Sequence, residues 1–157
     1  MTRRRGTRQQ SRLYRIGADE LTADTAQSSG MRREEAISGR TVGSDRLWTG
    51  RTTVAPATNS ADHHHGESET SIYVVSGHPE FVFLEDGEER RLRTGPGDFV
   101  YVPPWVPHRE ENPDPDEDAV VVISRTTQEA IVVNLPGLWL PGDGDAAWHD
   151  TGAGAPG

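Results

Sequence analysis

From Leu47 to Leu135 the chain is a succession of short runs rich in Val, Ile, Thr, Tyr and Phe, each closed by glycine, proline or a charged turn: LWTGRTTV, TSIYVV, EFVFLE, EERRLR, DFVYV, HREEN, AVVVIS and EAIVVNL. No stretch between them is long enough for a helical period of roughly ten residues. Runs this short and this closely spaced predict an all-β sandwich or barrel, because nothing is left to supply the crossover helices of a parallel sheet. The connections agree. Asp86-Gly87 sits between two strand-like runs and favours a tight type I′ hairpin, since both residues tolerate positive φ. The segment PPWVP, Pro103 to Pro107, lacks three backbone donors and cannot lie inside a paired strand; it must turn the chain and deliver His108 to the next run.

A chain of 157 residues is long enough for one domain with its own core. Residues 1–43 read as a mostly irregular N-terminal extension in which Arg32 to Ile37 offers a turn or two of helix between glycines; residues 44–136 form the barrel, and the glycine-rich residues 137–157 form a flexible tail. The longest apolar run, Ala119 to Ile123, is far too short to cross a bilayer, and no hydrophobic leader opens the chain, so a soluble cytoplasmic protein is expected. The net charge of -9 conceals an Arg-rich start, Arg3, Arg4, Arg5, Arg8 and Arg12, and the more acidic remainder is a poor partner for nucleic acid. The start itself reads as a disordered extension.

The absence of cysteine excludes disulfides, thiolate metal sites and thiol nucleophiles, so any metal must take nitrogen and oxygen ligands. The candidates lie in ADHHHGESETSIYVVSG. On an extended segment His63 and His65 share a face and His64 points away, as an outward or supporting residue. Gly66 allows a bend, after which Glu69 can swing back toward the same face; Glu67 is the fallback carboxylate. His108, carried in by the proline turn, supplies a third imidazole. Three imidazoles and a carboxylate hold a divalent first-row metal at about 2.0 to 2.2 Å. His78 and His149 read as surface residues.

These two blocks resemble the motifs of the cupin superfamily. The first motif is written G(X)5HXH(X)3-4E(X)6G, and this chain matches it at His63, His65 and Glu69; the second, G(X)5PXG(X)2H(X)3N, is matched at Gly97, Pro103, His108 and Asn112. Three positions depart: Ala57 stands where the first glycine belongs, Gly77 lies one residue further from Glu69 than usual, and Trp105 replaces the glycine between Pro103 and His108. Counting back from Gly77 would put the carboxylate at Thr70. The resemblance implies a small single-domain jelly-roll barrel holding Fe, Mn, Ni or Zn through His63, His65, Glu69 and His108. It further implies a homodimer and a metal-dependent enzyme of the oxygenase, oxidase or isomerase type acting on a small molecule. The alternative is a non-catalytic barrel that binds or senses a small ligand through a structural or ligand-anchoring metal.

The remaining side chains get more ordinary expectations. Alternation puts Ser71, Tyr73 and Val75 on the face of Glu69, leaving the Tyr73 hydroxyl either toward a substrate or buried and hydrogen-bonded in the core. Phe81, Phe83, Phe99 and Tyr101 read as barrel packing, and Trp105 as an ordinary turn residue, with a place at the pocket mouth as the lesser alternative. Alternation from His108 turns Glu110 inward and leaves Arg109 and Glu111 as a solvated charge pair.

Overall fold

A computed structural model describes residues 11–138. Its strands, in chain order, are β1 (Met31–Ile37), β2 (Trp48–Val54), β3 (Thr58–Asn59), β4 (His63–His64), β5 (Thr70–Ser76), β6 (Glu80–Glu85), β7 (Glu88–Arg93), β8 (Phe99–Val102), β9 (Arg109–Asn112), β10 (Ala119–Arg125) and β11 (Val133–Asn134), preceded by a single 3-10 turn at Ala18–Glu20. The strands form a five-stranded sheet in the order β1-β2-β10-β5-β8, a four-stranded sheet β3-β9-β6-β7 and the pair β11-β4, all antiparallel. This is the all-β barrel that the runs predict, in the jelly-roll form that the resemblance implies. Among the described residues no helix is long and apolar enough to cross a membrane.

Alternation places the core. On β5, Ile72 and Val74 turn inward on the parity of Thr70, and with Val100 and Val102 of β8, Val121 of β10 and Phe81 of β6 the β-branched and aromatic faces close on each other between the large sheets. Each of these side chains removed from water contributes about 1.5 to 3 kcal/mol. The Asp86-Gly87 turn takes positive φ at both residues, 56° and 78°, and joins β6 to β7 in the register Glu85 to Glu88, as a type I′ hairpin requires. Gly77 ends β5 at φ 81°, where a Cβ would come within 2.7 Å of the Ala119 backbone. No other residue fits there.

Three features differ from the sequence expectations. Arg32 to Ile37, read as helical turns, is the body of strand β1, which pairs with β2 along Met31 to Ile37; an available sheet edge decided what short local propensity left open. The eighth run shrinks to the two residues of β11. Phe99 and Tyr101, expected as packing, lie on the outer face of edge strand β8, and the Phe99 ring rests 4.7 Å from that of Tyr73, which also faces outward. Phe81 is buried and Phe83 half-buried, as expected. The Arg-rich start up to Arg8 and His149 lie outside the described residues.

Candidate metal centre

The proline turn does what its chemistry demands. Beyond it, His108 N donates to His63 O at 2.9 Å and His63 N donates to His108 O at 3.0 Å, an isolated antiparallel bridge that sets the two residues directly opposite each other. Opposed residues share a face, and the two rings lie 4.5 Å apart. His65, two residues beyond His63, brings its ring to 4.8 Å from His63 and 5.0 Å from His108. Glu110, two residues beyond His108, joins them. One ligand atom from each of His63, His65, His108 and Glu110 lies within 4.8 Å of all the others.

The tautomers follow from the backbone. Each Nδ1 faces a carbonyl: His63 to Ala61 at 2.6 Å, His65 to Ile131 at 2.8 Å and His108 to Val106 at 3.0 Å. A carbonyl only accepts, so each Nδ1 carries the proton and each Nε2 keeps its lone pair. His108 Nε2 is buried without a hydrogen-bond partner, and the closest Glu110 oxygen stands 3.8 Å away, beyond hydrogen-bond range. An orphaned acceptor among two other imidazoles and a carboxylate fits a divalent cation. It fits nothing among the described side chains.

Electrostatics keep the donors in their ligating forms. Burial, followed by the charge of neighbouring His108, pushes the His63 pKa down, and burial followed by His63 and His108 takes His65 down to about 4. Both imidazoles are therefore neutral at neutral pH. Burial acts to raise the Glu110 carboxyl, but His108, His63 and His65 outweigh it and hold it below the ordinary carboxylate range. Glu110 is an anion.

Glu69, the expected carboxylate, is not in this cluster. It precedes β5 on the parity of the exposed Ser71, Tyr73 and Val75, and its Oε1 accepts from the Tyr101 hydroxyl at 2.9 Å on the outer surface. Thr70 holds the inward position instead and lines the cavity beside His63 and His65. The count back from Gly77 therefore locates the inward slot correctly, and the residue in it cannot be a carboxylate. Glu67 is exposed too. The signal for Glu110 was present as His-x-Glu at 108 and 110, two residues apart on one strand.

The other expectations resolve individually. His64 is buried, away from the cluster, with its Nδ1 accepting from Gly66 N at 2.9 Å and its ring 5.5 Å from Trp105. Trp105 is half exposed and does not line the cavity. His78 is exposed. Arg109 and Glu111 form a surface network in which Arg109 reaches Glu111 at 2.7 Å and Asp62 at 3.3 Å, and Arg91 bridges Glu111 and Glu80.

The cluster opens into a cavity of about 580 Å³ between the sheets, walled in part by the segment from Ala26 to Ser29 that precedes β1. Volumes of this order suit small molecules.

Residues 50–124 match the family described as Cupin domain. The barrel is a cupin domain. Solved structures similar to it include a serine variant of Bacillus subtilis oxalate decarboxylase, 25% identical with a TM-score of 0.60, covering 71% of this chain and 30% of that one. A second oxalate decarboxylase, described for its substrate binding mode and a reaction specificity switch, is 27% identical with a TM-score of 0.61 over 71% of this chain and 30% of its own. A third, the Bacillus subtilis enzyme described for its Mn(II) centres, is 26% identical with a TM-score of 0.60 over 71% and 29%. The chain thus spans under a third of the length of these relatives. No curated protein matches it.

Proposed function

We propose that this cupin domain holds a divalent first-row metal, Fe, Mn, Ni or Zn, through His63, His65, His108 and Glu110, and acts as a metal-dependent enzyme on a small molecule. The observation that carries the reading is the convergence of three Nε2 lone pairs, each fixed by a backbone carbonyl at Nδ1, with one ionised carboxylate. A metal bound there would supply Lewis acidity or, for iron or manganese, access to redox chemistry. The chain's own residues contribute the rest. The carbonyls of Ala61, Ile131 and Val106 orient the rings, Glu110 offsets cationic charge, and the wall of Met31, Ile123, Ile131 and Val132 excludes water from one side of the cavity.

A second reading, a barrel that binds or senses a ligand through the metal without turnover, is favoured by one observation. The titratable groups lining the cavity among the described residues are His63, His65, Glu110 and the two arginines Arg33 and Arg125, so once the ligands are committed only guanidinium groups remain beside them. The homodimer is supported by the outward Tyr73, Phe99 and Tyr101 on edge strand β8 and its neighbour β5.

The deciding experiment is elemental analysis of protein purified without a histidine tag or chelating resin, for the parent and for His63→Ala and His108→Ala. The parent is expected to carry a stoichiometric transition metal and both variants to lose it. Retention of the same metal by both variants would remove the site.

A further inference from the structure

The inward face of the five-stranded sheet carries two arginines. Alternation along β1 turns Met31, Arg33 and Glu35 inward, and along β10 it turns Ala119, Val121, Ile123 and Arg125 inward. Arg33 and Arg125 both line the cavity that contains His63, His65 and Glu110. Neither is neutralised by an ion pair among the described residues. Arg33 Nη1 donates to Ser28 Oγ at 2.9 Å, and Arg125 donates to the carbonyls of Thr127 at 3.0 Å and Gln128 at 2.8 Å while stacking 3.9 Å above the Trp48 ring. The one carboxylate on their side of the sheet, Glu35, is held by Arg40 at 2.9 Å and by Ser38.

The two cations also sense each other. Burial, and then the charge of Arg33, lowers the Arg125 pKa to about 10 against the opposing charge of Glu35. Among the described residues the only carboxylate lining the cavity is Glu110, which belongs to the imidazole cluster and forms no ion pair with either arginine, so two like charges in a cavity with one apolar wall are an unfavourable arrangement in the free state. A ligand that brings the missing negative charge relieves it, and guanidinium groups suit carboxylates because their planar donors match two oxygens at once.

We infer that the ligand of this cavity is a small organic acid with an apolar body, its carboxylate held by Arg33 and Arg125 and the rest of the molecule directed toward the His63, His65, His108 and Glu110 cluster. The volume of about 580 Å³ and the wall of Met31, Ile123, Ala130, Ile131 and Val132 favour a body larger than a bare dicarboxylate. The inference rests on the reading of the cavity as a small-molecule site beside a metal.

The test is calorimetric titration of the full chain, metal-loaded and metal-free, with phenylacetate, phenylpyruvate and the neutral isostere phenylacetamide. Metal content is measured on every sample. At least one of the acids is expected to bind at least about tenfold more tightly than the amide, the margin of one charge-assisted contact. Arg33→Gln should abolish that margin at unchanged metal content, and Arg33→Lys should keep part of it. Arg33 is the better probe because Arg125 also holds two backbone carbonyls and the Trp48 ring; thermal melting of Arg33→Gln checks that the fold is kept. Equal binding of acid and amide by the parent, binding of none of the three, or an acid preference that survives in folded Arg33→Gln would overturn the inference. A parent that takes up no metal but still prefers the acids in an Arg33-dependent way would sink the metal reading and leave the anion site standing.

Discussion

His63 and His108 exchange two backbone hydrogen bonds, 3.0 and 2.9 Å, across a bridge that belongs to no longer strand. Everything else in the cluster is placed by counting from that pair, because His65 and Glu110 each lie two residues further along the same faces. The bridge therefore brings Glu110 beside the three imidazoles and leaves Glu69 on the outer surface. Glu110→Gln is expected to weaken metal binding by at least the roughly 10- to 100-fold seen for residues that merely support ligands, whereas Glu69→Gln should leave it unchanged, its amide oxygen still accepting from the Tyr101 hydroxyl. Chelator competition on both variants checks this; an affinity loss confined to Glu69→Gln would reverse the assignment.

The metal-free protein should lose stability as pH falls from about 6.5 toward 4. The His65 pKa is lowered to about 4 in the fold, and that of His63 is also lowered, mainly by burial. In that window the unfolded chain, with histidines near 6.5, binds more protons than the folded one, so stability rises with pH. For His65 alone the loss on passing through the window approaches about 3 kcal/mol. Urea melts at pH 7, 6, 5 and 4 read it directly, and His65→Gln should flatten the slope. A pH-independent midpoint would contradict the burial of a neutral ring.

Asn112, the last residue matched to the second cupin motif, is fully buried, and its hydrogen bonds go to the backbone rather than to the cluster. Its Nδ2 donates toward the carbonyls of Val54 at 3.1 Å, Ala55 at 3.1 Å and Glu117 at 2.9 Å, and its Oδ1 accepts from Asp114 N at 3.2 Å. It pins the end of β9 to the end of β2 and to the loop that leads into β10. Asn112→Ala is expected to cost about 2 to 4 kcal/mol, since it strands several buried carbonyls. Metal affinity at low temperature should be unchanged. A denaturation curve matching the parent's would show that water replaces the amide.

How much of this was legible depends on the length over which a signal acts. Alternation over seven residues made β2, β5 and β10 plain, and the Asp86-Gly87 turn carried its own geometry. The cluster was three-quarters legible because His63, His65 and His108 are separated by parity or by a turn with only one chemical use. Glu69 was misplaced because Gly66 left the parity of the following strand open; only the pairing of β5 with β8 and β10 fixed which alternate residues face inward. Strand β1 escaped because MRREEAI alternates charge rather than hydrophobicity, and its inward polar residues, Arg33 and Glu35, make sense only once a polar cavity and Arg40 are beside them.

The two glycines missing from the motifs leave a measurable strain. Ala57, in place of the first, has φ 51°, and Trp105, in place of the other, has φ 67°. Both sit in the left-handed region that costs a residue with a Cβ roughly 1 to 2 kcal/mol. Glycine would remove that cost but add unfolded-state entropy, about 0.4 to 1 kcal/mol. Ala57→Gly, with a methyl group as its only loss, is therefore expected to stabilise the domain by about 0.5 kcal/mol. Trp105→Gly should destabilise it, because the indole packs on buried His64 and that burial exceeds the backbone relief. Paired urea melts give the opposite signs; a stabilised Trp105→Gly would mean that the indole contributes less than its backbone conformation costs.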